Sequence, residues 1–104
     1  MELTRILDVL KDADGIPARG KLVIQSPAFI AADGTAVAAG ILTYAIPVAT
    51  PGLVDLFLAP TEGADPSSAR YTVRYYLKSG AAYTETWQVP RTGPITISQA
   101  RGTA

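Results

Sequence analysis

Residues 71–89 alternate between apolar and polar positions on both sides of a glycine. Tyr71, Val73, Tyr75 and Leu77 interleave with Thr72, Arg74, Tyr76 and Lys78. After Ser79-Gly80, the residues Tyr83, Glu85, Trp87 and Val89 interleave with Thr84, Thr86 and Gln88. A period of two flanking a turn predicts an antiparallel hairpin. The single Trp lies in it, together with three of the five Tyr within six residues (Tyr71, Tyr75 and Tyr76), which makes it the expected organiser of the core. A two-residue loop at Ser79-Gly80 would set Val73 and Tyr75 against Thr86 and Thr84. A three-residue loop, Ser79-Gly80-Ala81, sets Leu77 against Tyr83, Val73 against Trp87 and Tyr71 against Val89. A one-residue slip exchanges the two faces of a strand, so the three-residue register is expected because it keeps one face apolar. Gly80 then takes the left-handed conformation that such loops require. Glu85 falls on the core face opposite Tyr75. It is expected near the sheet edge or bonded to a hydroxyl, because an unpaired buried carboxylate is costly.

Elsewhere the apolar runs are short and punctuated. Leu3 to Leu10 fits a helical stripe through Leu3, Ile6, Leu7 and Leu10, and a strand face through Leu7 and Val9. The shortness of the run and the turn residues Asp12-Ala13-Asp14-Gly15 decide for a strand. Lys21 to Gln25 predicts a second strand with Leu22 and Ile24 inward, and Phe29-Ile30 precedes a turn at Asp33-Gly34. Further strands are expected at Ile41 to Ile46 and at Leu53 to Leu58. In the latter, Leu53, Asp55 and Phe57 oppose Val54, Leu56 and Leu58. Pro60 to Ser68 reads as a polar loop, Pro94 to Gln99 as a last strand through Ile95 and Ile97, and Ala100 to Ala104 as a loose tail. About seven antiparallel strands, spaced roughly 8 to 12 residues apart with turn signals between, predict an all-β fold, a β-sandwich. Residues 1–104 form one domain with an ordered core over about residues 3–99, as the chain length implies.

Composition narrows the chemistry. Nine basic and nine acidic residues give zero net charge, which disfavours a phosphate-backbone partner. Neither Cys nor His occurs, so disulfides, thiolate sites and the commonest general base and metal ligand are missing. Ile41 to Pro60 is the most lipid-like stretch, but Pro47, Pro51, Gly52 and Asp55 divide it into strand-length pieces rather than a membrane span. The start, Met1-Glu2 with Asp8 close behind Arg5, lacks the features of a secretion signal. A soluble protein made in the cytoplasm is expected.

The candidate sites are few. Asp12 and Asp14 before Gly15 resemble part of a calcium loop, but that register puts Leu10 and Lys21 at the first and last ligand positions, so a turn is expected instead. Ser26, Ser67, Ser68, Ser79 and Ser98 have no imidazole and no nucleophile-elbow motif. Asp55 and Glu85 are strand carboxylates without evident proximity. No enzyme activity, metal or cofactor is expected. Arg70, Arg74 and Lys78 with Tyr76 interleaved could track a single-stranded nucleic acid, yet a solvated outer face accounts for them at zero net charge. Tyr44, Tyr76 and Arg74 are the candidate interface residues, since exposed Tyr favours protein contacts.

Asp14-Gly15-Ile16-Pro17-Ala18-Arg19-Gly20-Lys21-Leu22-Val23-Ile24 resembles the opening of Ig-like and fibronectin-III-like modules related to carboxypeptidase regulatory domains. With Tyr71-Thr72-Val73-Arg74-Tyr75, Glu85-Thr86-Trp87-Gln88-Val89-Pro90 and Pro94-Ile95-Thr96-Ile97, the chain is similar to small β-sandwich domains of tailed-bacteriophage virion proteins. The likeness runs from about residue 5 to residue 101. It implies an Ig-like sandwich that serves as a structural docking or attachment module in a tail, fibre or baseplate, without catalytic residues. The implied partners are other virion proteins or copies of itself, with no nucleic acid and no membrane. The implied location is a virion assembled in the host cytoplasm. Two alternatives remain open: a capsid decoration protein of a phage head, and an adhesive module for a surface glycan on a platform of Tyr44 and Tyr76.

Overall fold

Nearly every alternating stretch becomes a strand in the computed structural model, which describes residues 2–12, 14–78, 80 and 82–101. The described elements are β1 (Thr4–Val9), β2 (Gly20–Ser26), β3 (Phe29–Ile30), β4 (Ala36–Val37), β5 (Gly40–Ala45), β6 (Leu53–Leu58), β7 (Tyr71–Leu77), β8 (Ala82–Trp87) and a short helix α1 (Ile97–Arg101). All strand pairs are antiparallel: a four-stranded sheet in the order β5-β2-β7-β8, the pair β1-β6, and the small hairpin β3-β4. The protein is therefore mostly β.

One core lies between the two larger sheets. Ile6, Val54, Leu56 and Leu58 from β1 and β6 are buried in the same cluster as Leu22, Ile24, Tyr71, Val73, Tyr75 and Trp87 from the four-stranded sheet. The two sides of β6 alternate as expected, and the structure turns the Val54, Leu56 and Leu58 side inward. In β1 the inward residues are Thr4 and Ile6, whereas Val9 is exposed. This corrects the expected Leu7 and Val9 face. Thr4 is tolerated inside because its hydroxyl donates to the Pro90 carbonyl at 2.5 Å.

The β7-β8 hairpin forms with the expected faces but a different register. Tyr71 pairs with Trp87, Val73 with Glu85 and Tyr75 with Tyr83, two residues away from the expected pairing. A slip of two leaves every side chain on its face, so apolar parity cannot distinguish the two registers. The observed one stacks the Tyr75 and Tyr83 rings at 4.3 Å and 13°, a packing gain that the other lacks. Gly80 does adopt a positive φ of 94° and its N–H donates to the Leu77 carbonyl at 3.0 Å. Ser79 and Ala81, the other residues of the expected loop, lie outside the described residues. Gly20 opens β2 with φ 135°, and a Cβ there would run into the Tyr76 carbonyl.

The C-terminal stretch departs most from expectation. Ile95 makes a single parallel bridge with Ile6, exchanging backbone hydrogen bonds with Arg5 and Leu7, and the chain then turns into α1. Thr96 and Gln99 cap that helix reciprocally: Gln99 N–H donates to Thr96 Oγ1 at 3.3 Å and Thr96 N–H to Gln99 Oε1 at 2.9 Å. This is the Thr-x-x-Gln capping box. Asp8 accepts a third hydrogen bond, from Ile97 N–H at 3.0 Å. Ala100 and Arg101 are thus not part of a loose tail: Ala100 is fully buried and its carbonyl accepts from Gln88 N–H at 2.8 Å. The remaining tail residues, 102–104, lie outside the described residues.

Candidate interaction surfaces

The outer face of the four-stranded sheet carries two of the three candidate interface residues. Across β2 and β7, Arg74 is in register with Val23 and Tyr76 with Lys21; on β8 their partners are Thr84 and Ala82. Lys21 Nζ sits 5.7 Å above the Tyr76 ring, a cation–π contact at an exposed site. Arg74, Tyr76 and Thr84 also line a shallow depression of about 210 Å³ at the hairpin edge. The basic strip is interrupted, because Arg70 turns back onto the Ser67 and Ala69 carbonyls at 3.0 and 2.7 Å.

Tyr44 lies elsewhere. It pairs with Leu22, and Leu22 pairs with Tyr75, so Tyr44 points to the inner face while Tyr76 points to the outer one. The two rings do not share a platform. Tyr44 is half-buried, and its hydroxyl donates to the Leu53 carbonyl at 2.8 Å while accepting from Asp55 N–H at 3.2 Å. The side chain therefore clasps β5 to the edge of β6 across the two sheets. Tyr44→Phe should lower unfolding free energy by about 1 kcal/mol, the usual value of such a hydrogen bond. A shift in the urea midpoint measures it, and an unchanged midpoint would remove the clasp.

The carboxylates occupy distinct places. Asp55 forms a two-pronged pair with Arg5 at 2.8 and 2.9 Å on the outer side of β1-β6, and that guanidinium holds its carboxyl below the usual range. Glu85 sits on the inner face of the edge strand β8, opposite Val73. Its Oε1 accepts from the Tyr75 hydroxyl and, at 2.9 Å, from Trp87 Nε1. Arg101 of α1 closes the group through Nε at 2.6 Å from Oε2. The expectation of an edge position and a hydroxyl partner holds. The arginine was not anticipated, since it lies in the segment read as a tail. The Glu85 hydrogen bond raises the Arg101 guanidinium above its ordinary value.

These four side chains act as a latch that holds α1 on β8. A carboxylate with one cationic and two neutral donors is fully engaged, which suits it to structure rather than to proton transfer. Glu85→Ala should cost about 2 kcal/mol, because the indole N–H and the Tyr75 hydroxyl each lose their acceptor. Arg101→Ala should cost about 1 kcal/mol, since Glu85 keeps both neutral donors and half-exposed ion pairs contribute little. Denaturation of both variants checks the ordering, and equal losses would contradict it.

Two larger grooves lie near the loop after β6. One, of about 550 Å³, is lined by Glu2, Asp33, Pro60, Glu62, Arg91 and Thr92. Its acids tie loops: Asp33 accepts from Thr35 N–H at 3.0 Å and Glu62 from Arg91 N–H at 2.9 Å. The second, of about 410 Å³, is bordered by Arg70, Gln88 and Gln99. Asp12 likewise serves its turn, its carboxylate accepting from Asp14 and Ile16 N–H at 2.9 and 3.1 Å. This is the local Asx chemistry expected of the segment.

Among the described residues, what stays open is a strand edge. β5 is an outer strand of its sheet, carries no charged residue, and is exposed along its length apart from the half-buried Tyr44. Ile41 is 71% exposed and Leu42 44%, on opposite faces of the strand. The opposite edge strand, β8, meets α1 through Glu85 and Arg101, and Gln88 N–H, just past its end, bonds to the Ala100 carbonyl. Sequence alternation could not identify β5 as an edge, because strand order is set by tertiary pairing. Compared with known proteins, the chain matches no family model, no curated protein and no solved structure.

Proposed function

We propose that the chain is a non-enzymatic structural module with an Ig-like or fibronectin-III-like β-sandwich fold. In this reading it docks other proteins or copies of itself within a bacteriophage tail, fibre or baseplate assembled in the host cytoplasm. The observation that carries the reading is the bare, uncharged edge of β5, with apolar side chains exposed on both faces. Natural sheets usually blunt such edges with charge, proline or a covering element, and an edge left open is a template for strand addition. Supporting it, the carboxylates and hydroxyls of the interior bind one another and the backbone. Three of the four segments that carry the likeness to phage modules overlap the strands β2, β7 and β8, while the fourth, Pro94–Ile97, makes one bridge and enters α1.

A decoration protein of a phage head would use the same edge and remains the second reading. An adhesive module for a surface glycan draws less support, because its two proposed platform rings point to opposite faces. Mass spectrometry of particles banded from a lysate of the producing host tests the proposal. This chain should be recovered with the particles in a repeated stoichiometry. Its presence in the lysate but not on intact particles would overturn the virion assignment.

A further inference from the structure

We infer that the free edge of β5 pairs antiparallel with β5 of a second copy, about a two-fold axis at Thr43. The inference begins from which way each backbone group points. Ile46 N–H donates to the Gly20 carbonyl at 3.0 Å, and Lys78 N–H to the Arg19 carbonyl at 2.8 Å. In an antiparallel ladder bonding alternates residue by residue. With Leu22 opposite Tyr44 and Ile24 opposite Leu42, the even-numbered residues of β5 bond to β2. Ile41, Thr43 and Ala45 therefore direct their N–H and C=O groups outward, where no described strand pairs with them.

Those three residues are symmetric about Thr43. Placing Thr43 against Thr43 of the second copy sets each Ile41 against an Ala45, and every pair is of the kind that exchanges two hydrogen bonds. The same register sets Leu42 beside the other copy's Tyr44 on the inner face, covering a leucine that is 44% exposed. Ile41, 71% exposed, gains a neighbour on the outer face. One step further, Ala39 meets Pro47, which has no N–H, and the ladder ends there. The two four-stranded sheets would become one continuous sheet.

Charge favours this occupant over a foreign strand. β5 has no charged side chain, and the one cation in register with it on β2, Lys21, would be separated from the other copy's apolar Ile41 by Ala45. Self-pairing thus brings no like charges together, while nothing on the strand selects a charged partner. A six-residue strand buries less than the ~1,200 Å² of a standard interface, so a concentration-dependent dimer is expected rather than a permanent one.

Sedimentation of the purified chain from micromolar to millimolar concentration tests the pairing. The wild type should move from one chain mass to two. Thr43→Lys and Thr43→Glu place like charges directly opposite at the axis, and each should weaken association about five- to tenfold. An equimolar mixture of the two variants should associate more tightly than either alone. Ile41→Lys, at a largely exposed site, provides a second weakening variant without disturbing the core. The variants should melt like the wild type under dilute conditions.

A wild type that stays monomeric throughout, Thr43→Lys that dimerises unimpaired, or a mixture no tighter than its components would each overturn the pairing. The inference narrows the docking reading to one partner and takes from it only the use of the β5 edge. Failure here would leave recovery of the chain with particles as a separate result.

Discussion

Trp87→Ala is expected to remove most of the protein's stability. The indole is fully buried on β8, opposite Tyr71, and its Nε1–H is held by Glu85 at 2.9 Å. Truncation leaves a cavity between the sheets and takes a donor from a carboxylate on the inner face. Buried Trp→Ala changes typically cost about 3–5 kcal/mol, against a total of about 5–15 kcal/mol for a domain of this kind. Urea denaturation followed by circular dichroism should show the midpoint falling by a large fraction, or no folded baseline at all. Trp87→Phe narrows the contributions, since it keeps much of the apolar volume while losing the N–H bond. It should cost clearly less than the alanine variant. A loss below about 1 kcal/mol for Trp87→Ala would mean that the indole does not organise the core.

Raising the pH should unfold the protein through its tyrosines. Burial pushes the Tyr71 hydroxyl up to about 12, and Tyr75 is raised in the same direction by burial and by the neighbouring Glu85. In the unfolded chain both titrate near the ordinary value of about 10. The folded state therefore holds its phenolic protons more tightly than the unfolded state does. The corresponding stability is fully present below pH about 10 and is lost as pH rises towards 12. For Tyr71 alone the loss is about 3 kcal/mol, one pKa unit being worth about 1.4 kcal/mol. Phenolate absorbance and circular dichroism should change together in this range, because Tyr71 donates to the buried Ala59 carbonyl and has no room to ionise in place. Tyr71→Phe should move the transition to higher pH. Tyrosines that all titrate near pH 10 with the fold intact would contradict the burial of both rings.

Much of the architecture was legible in the residues. The alternation over Tyr71–Leu77 and over Leu53–Leu58 assigned both strands, and for the former also the inward face, because a pleated strand sends successive side chains to opposite sides. The hairpin register was less accessible. Two pairings that differ by two residues bury the same face, and the observed one is the one that stacks Tyr75 on Tyr83. The helix carried a signal that the apolar period of Ile95 and Ile97 obscured: Thr96-Ile97-Ser98-Gln99 is a capping box.

The candidate surfaces divide the same way. Arg74 and Tyr76 stand on the outer face that their parity predicted, but Tyr44 has the opposite parity once β5 is placed beside β2. A tyrosine in an edge strand looks exposed until the neighbouring sheet is known, and here that sheet offers Leu53 and Asp55 backbone groups to its hydroxyl.

Local residue order was enough to specify a β protein, its turns and its buried aromatic hairpin, since those depend on side-chain alternation and on glycine and proline conformations. Which strand lies at the edge, which acid meets which arginine and where the polypeptide leaves hydrogen-bonding groups open were settled in three dimensions. Arg101 and Glu85 are sixteen residues apart, and β5 is an outer strand only because β7 takes the other side of β2. Such pairings join distant segments, and no local period encodes them.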